Sequence, residues 1–270
     1  MRRAHERRLS LKLAENSLSV SKNFFEGRFM EEKADALVLR SVDYKDNDKL
    51  LTLFTLQYGK ITASAKGVKK AGARLKFAAQ PFCFAEYVFA KKGDRRTVIS
   101  AANTDGFYAL REDIEKFYAA SAVCEVCDTL LFEGIVNEEL FLSAVNALKN
   151  MCERDAAEEL IRFLIGALRM SGYMLSLAAC AECGAILSGR VYFDISEGCF
   201  YCGDCAKGAG TGENTYNLLR KCSNLSYRGD KIDAAAAVRV LKLLKVYFHD
   251  KTDCNLKSLG EYIHLLGIDV

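Results

Sequence analysis

Apolar and polar positions recur with two different periods along this chain, and the change of period divides it. From Ala34 to Ser100 the short period dominates. Residues 36–42, 49–55, 61–65, 82–90 and 97–100 each predict a strand, rich in branched and aromatic side chains and bounded by turn formers. Asp43, Asn47 and Asp48 mark the first turn, Tyr58-Gly59-Lys60 the second, and a basic turn over 91–96 the last. A polar loop over 66–74 separates the third and fourth strands. Five short strands in so few residues imply a small closed or nearly closed barrel, because an open sheet would leave two unpaired edges.

From Leu110 the period lengthens. Ile114, Phe117, Tyr118, Val123, Val126, Leu130 and Leu131 recur mostly at three- and four-residue spacing. Residues 138–151 and 156–170 repeat this pattern, giving a bundle of about three helices. Beyond a cysteine-rich segment, 208–212 (GAGTG) reads as a flexible connection. Helices are then predicted over 215–224, over 232–249 after a cap at Asp230, and over 256–266 after a break at Asp253. Residues 1–29, rich in Arg, Ser and Asn without an amphipathic period, are expected to be disordered or outside the natural product, with translation starting at Met30. The expected organisation is an extension (1–29), a barrel (30–107), a helical bundle (108–179), a cysteine element (180–206) and C-terminal helices (207–270) packing with the bundle. The fold class is α+β and multidomain.

Half of the 270 residues are hydrophobic, enough for substantial cores, and no apolar run reaches membrane-spanning length. No secretory apolar run follows the N-terminal arginines. Eleven cysteines, an odd number with several at ligand spacing, suit a reducing compartment, so a cytoplasmic location is expected.

Five of those cysteines fall within 180–205. Cys180-x-x-Cys183 and a second pair built on Cys202 can bring four thiolates to one tetrahedral Zn²⁺. Alternation of Val191, Phe193 and Ile195 predicts a hairpin that returns the second pair beside the first. Buried thiols or a redox pair would account for one such motif; two in one short segment favour a metal. Four thiolates leave no open coordination position, so one zinc would hold the fold rather than activate water. Cys202 can pair with Cys199 or Cys205. A glycine follows the Cys199–Cys202 pair, as it does Cys183, whereas Gly203-Asp204 between Cys202 and Cys205 suits a tight turn. Cys124 and Cys127, on a helix with no second pair nearby, read as core or surface thiols.

The net charge of +3 hides a division: residues 30–106 sum to +5 and 107–160 to −8. Between Asp48 and Glu86 no acid occurs, while Lys49, Lys60, Lys66, Lys69, Lys70, Arg74 and Lys76 supply seven positive charges. Glycines and alanines near these cations let a backbone approach closely, and Phe77, Phe82 and Phe84 follow, the last two placed in the core by alternation. A basic face on a small barrel is a usual form of single-strand binding. Arg239, Lys242 and Lys245 share one face of the penultimate helix, either extending such a track or facing solvent. Phosphate-loop, dinucleotide and His-Glu-x-x-His templates are all missing, and only three histidines occur, so nothing points to catalysis.

Taken in order, these parts resemble the RecO family of bacterial recombination mediators, from Met30 to the C-terminus. The resemblance rests on Leu37-Val-Leu-Arg40, Tyr44 with 48–55 (DKLLTLFT), Tyr58-Gly-Lys60, Ala65-Lys-Gly67, Gln80-Pro-Phe82, the zinc cysteines and Leu256-Lys-Ser258. It implies an N-terminal OB-type barrel, a central and C-terminal helical domain, and an inserted four-cysteine zinc element. It places the ligands at Cys180, Cys183, Cys202 and Cys205, with Cys199 standing where the family tends to have glycine. Also implied are binding of single- and double-stranded DNA, annealing of complementary strands, and loading of RecA onto strands coated by single-strand-binding protein (SSB). RecR and the C-terminal tail of SSB are the implied partners, in a nucleoid-associated setting. Carried over by position, Arg40, Lys66, Lys69, Lys70 and Arg74 are DNA contacts; Lys60 and Lys76 of the basic stretch complete the expected set. The alternative is a zinc-stabilised RNA-binding or transcription-associated protein of the same barrel type.

Overall fold

Among the described residues the first strand opens at Met30, and the barrel closes on itself. The computed structural model describes residues 29–224 and 232–268; the expected extension is otherwise outside the described residues. Strands β1 (Met30–Tyr44), β2 (Asp48–Thr55), β3 (Gly59–Ala65), β4 (Phe84–Lys92) and β5 (Arg95–Asp105) close in the order β1-β2-β3-β5-β4. Their neighbours along this order run antiparallel except β3 and β5, which pair in parallel at Ala63–Arg96 and Ser64–Thr97. Val38 N–H donates to the Cys83 carbonyl, and Phe82 N–H donates to Val38, closing the ring.

The inward residues of this OB-type barrel include Val38, Leu51, Leu53, Ile61, Ala63, Tyr87 and Phe89, all buried. Leu37, Leu39 and Phe54 point the other way and join the helical core. That double burial explains the uninterrupted apolar run at 36–39 on β1, where alternation fails. β5 runs well past the expected 97–100, because its exposed Ala102, Asn103 and Thr104 extend the ladder with β4 without an apolar signal.

Helices α1 (Ala109–Glu112), α2 (Ile114–Leu130), α3 (Glu138–Glu153) and α4 (Ala156–Met170) follow, then α5 (Glu213–Ser223), α6 (Ala234–Thr252) and α7 (Lys257–Ile268). Asp113, Asn137 and Asp155 cap α2, α3 and α4 through side-chain acceptance of a backbone N–H three residues on. The expected cap Asp230 lies outside the described residues; Asp233 caps α6, accepting from Ala236. Asp253, in left-handed conformation, ends that helix.

Between α4 and α5 sits a sheet of order β7-β6-β8, formed by β6 (Val191–Asp194), β7 (Cys199–Cys202) and β8 (Ala209–Gly210). The stretch 208–212 is therefore more than a connection, since Ala209 and Gly210 pair with Phe193 and Tyr192. Gly208 is required there: its φ is +80°, and a Cβ would run into the Phe193 carbonyl. Phe193 and Phe200 pack at 4.7 Å between ring centroids, and reach Tyr247 of α6 and Tyr216 of α5. The described residues from Glu31 onward belong to one compact unit.

Barrel and helices meet over aromatic edges. Phe54 and Phe84 contact Phe141 of α3 at 5.1 and 5.9 Å, and Phe82 contacts Phe117 of α2 at 5.3 Å. The Gly134 N–H donates to Lys60, and a Cβ on Gly59 would strike the Ile135 carbonyl. Tyr58-Gly59-Lys60 is thus both a turn and a docking point.

Candidate functional site

The cysteine centre is assembled by two turns of different origin. Cys180 to Gly184 forms a knuckle: the Gly184 N–H donates to Cys180, the Cys180 N–H to Ala185, and Gly184 takes φ +71°. The β6–β7 hairpin pairs Val191 with Cys202, and Cys205 follows on the next turn. The Sγ atoms of Cys180, Cys183, Cys202 and Cys205 all lie within 4.8 Å of one another, with Cys183 and Cys202 at 3.7 Å.

Cys199 lies outside this group. It opens β7 opposite Asp194, and it is buried. Strand parity explains this: residues three apart on a strand point to opposite faces, so Cys199 and Cys202 cannot aim at one point.

As thiols the four cysteines are unequal. Backbone N–H donation, first from Cys183, lowers Cys180 to about 6, whereas interaction with the sulfurs of Cys183 and Cys202 raises Cys205 to about 12. A soft divalent cation would replace these competing protons with four metal–thiolate bonds, and the donor set fits such an ion. Cys124 and Cys127 are instead core thiols on α2, both buried, with Cys124 pushed up to about 12 by burial.

Most of the expected basic residues lie on the loop after β3. Val68 is buried and anchors the loop after β3, while Gly67 and Lys69 donate backbone N–H to Asp48 and Asn47 of the first turn. Lys66, Lys69, Lys70, Arg74 and Lys76 are exposed around this anchor, and Phe77 after them is 36% exposed. Lys69 donates to Asp43 at 2.6 Å, which holds that carboxylate below its usual range. No carboxylate among the described residues pairs with Lys66, Lys70, Arg74 or Lys76.

Arg40 and Lys60 stand elsewhere, at the junction with the helices. Both meet Asp128 of α2, Lys60 Nζ donating to its carbonyl at 2.7 Å and its carboxylate at 3.1 Å. Of the second basic set, Arg239 bonds Thr215 and Asp233, and the Lys245 amino group lies over Gly260 of α7.

A groove of about 480 Å³ opens beside the loop, and the residue reading did not find it. Its walls are Tyr44 and Lys45 from the first turn and Arg95 from the β4–β5 turn, with Thr62, Ser64 and Thr97 on its floor. Lys45 lies 5.3 Å from the Tyr44 ring centre, and Tyr44 is 45% exposed. Arg96 in the same wall is fixed from behind by the buried Glu32, which also binds Lys91. The basic turn at 91–96 carried the signal, and only the closed order of the strands puts that turn opposite Tyr44.

Family models described as "Recombination protein O N terminal" and "Recombination protein O C terminal" match residues 30–107 and 111–260. The "DNA repair protein RecO" of Pelotomaculum thermopropionicum is 35% identical over 173 residues, 64% of this chain and 68% of that one. That of Desulforamulus reducens is 34% identical over 175 residues, again 64% and 68%. That of Clostridium perfringens is 35% identical over 199 residues, covering 72% and 80%. Among the described residues no helix is long and apolar enough to cross a membrane.

Proposed function

The chain belongs to the RecO family of DNA repair and recombination proteins, and from that premise we propose that it is a non-enzymatic strand-annealing mediator. It binds single- and double-stranded DNA, anneals complementary strands without ATP, and helps load RecA onto SSB-coated single strands. RecR and the SSB C-terminal tail are its partners, and it works in the cytoplasm at the nucleoid.

The observation that carries this reading is the exposed basic loop beside a groove with an open aromatic wall. Lys66, Lys70, Arg74 and Lys76 lack carboxylate partners among the described residues, and the exposed Tyr44 lines the same groove as Lys66. Cations tracking a backbone beside an aromatic platform suit sequence-tolerant strand binding. Neutralised phosphates let two complementary strands approach, and bases left open can then pair.

One Zn²⁺ on Cys180, Cys183, Cys202 and Cys205 holds the knuckle against the hairpin and has a structural role. The test is annealing of complementary oligonucleotides, each coated with SSB, in the absence of nucleotide. The chain should accelerate it well above the spontaneous rate. No acceleration would remove the mediator reading.

A further inference from the structure

We propose that the cleft between the barrel and the helices takes a phosphodiester of the bound strand on Arg40, and that Asp128 is the group this phosphate displaces. The inference rests on the strand-binding function proposed above. Arg40 projects from β1 into a cleft of about 530 Å³ lined by Ser41, Phe82, Ser121, Glu125 and Lys257 as well as Asp128.

The two cations on Asp128 are not equivalent. Lys60 is 21% exposed and donates to the main-chain carbonyl as well as the carboxylate, so the junction fixes it. Arg40 bonds the other carboxylate oxygen, yet its side chain is 62% exposed. It is the partner with freedom to leave.

Its departure would not orphan a charge. Asp128 is 18% exposed and keeps Lys60 at 3.1 Å, so the carboxylate stays compensated. To a guanidinium, carboxylate and phosphodiester are alike: each presents anionic oxygens to its N–H fork. The other carboxylate of the cleft is committed elsewhere. Glu125 accepts from the backbone N–H groups of Lys257 and Ser258, at 2.8 and 2.7 Å, at the start of α7. Lys257, exposed on the far wall, adds a second cation.

The cleft also adjoins the loop. Ser41 donates to the Ala79 carbonyl at 2.7 Å, placing the end of the basic segment beside Arg40. A strand lying along the loop reaches the cleft next. Asp128 then acts as an internal competitor, holding Arg40 until a phosphate arrives and recovering it when the strand leaves. It is a positioning residue that weakens binding and speeds release.

A double-mutant cycle on the full chain tests this, read by fluorescence anisotropy of a labelled oligodeoxythymidine. Asp128→Asn should bind about two- to five-fold tighter than wild type and steepen the salt slope by up to about 0.7. Arg40→Ala should weaken binding, and the double variant should bind like Arg40→Ala, because the junction keeps Lys60 in place and Arg40 is the cation that losing the carboxylate frees. Unchanged or weaker binding by Asp128→Asn at an unchanged melting temperature overturns the proposal. Tightening that persists in the Arg40→Ala background does so too. Should Asp128→Asn lower the melting temperature, Asp128→Glu decides, since the restored carboxylate must bring affinity back to within about two-fold of wild type. A wild-type chain that binds no oligonucleotide overturns the functional reading itself.

Discussion

Truncating Lys69, Lys70 and Arg74 together to Ala removes three cations from the exposed loop without touching its anchors. Val68 stays buried, and the bonds from Gly67 and Lys69 to Asp48 and Asn47 use backbone N–H groups. Stability should therefore stay within about 0.5 kcal/mol, as for surface substitutions generally. Binding should respond much more. Each phosphate neutralised on a single strand contributes about 0.7 to the salt slope, so three contacts amount to about 2. Lys69, held by Asp43, contributes at most its full share, so about 2 is the upper bound. Across a fourfold rise in salt, a slope change of about 2 is roughly a 16-fold difference in how far affinity falls. Anisotropy titrations of a labelled single strand at several salt concentrations measure it. Equal slopes for variant and wild type would refute the reasoning and take the loop off the DNA path.

Three further outcomes are expected. Cys199→Ser should retain one zinc per chain by elemental analysis, while Cys205→Ser loses zinc and stability, because Cys199 faces away from the cluster. Gly59→Ala should destabilise by about 2–4 kcal/mol in chemical denaturation, through its positive φ of +64° and the collision with Ile135. Burial raises the Glu32 pKa, but hydrogen bonds from Lys91 and Arg96 outweigh it and hold the carboxyl below 4.5. That stability is present above 4.5 and lost as pH falls through the lowered value, so acidification below about pH 4.5 should cost wild type more than Glu32→Gln.

Side-chain periodicity carries information only where side chains differ in surroundings, and this decided what the sequence revealed. The barrel strands were legible because one face is apolar. β8 was not, since Ala209 and Gly210 are exposed and join the sheet through backbone alone. Residue types around Cys199 and Cys205 narrowed the expected ligands, and strand parity accounts for Cys199 lying outside the cluster of four sulfurs. Charge partners were illegible because they are distant in sequence. A stretch free of acids between Asp48 and Glu86 still has Lys69 paired 26 residues back, to Asp43, and Lys60 paired 68 residues ahead, to Asp128. Lys60 was expected among the DNA contacts, and its amino group bonds Asp128 at the junction. The groove needed barrel closure, which brings Tyr44 and Arg95 to one opening from strands far apart in the chain.

Where the strand lies is the central claim, and photocrosslinking reads it directly. A single strand carrying 5-iodouracil, irradiated in complex with the full chain and mapped by mass spectrometry, should attach to Tyr44 in the groove and Phe77 beyond the basic loop, the exposed rings along the proposed path. Adducts confined to α6, where Arg239 and Lys242 stand, would contradict it.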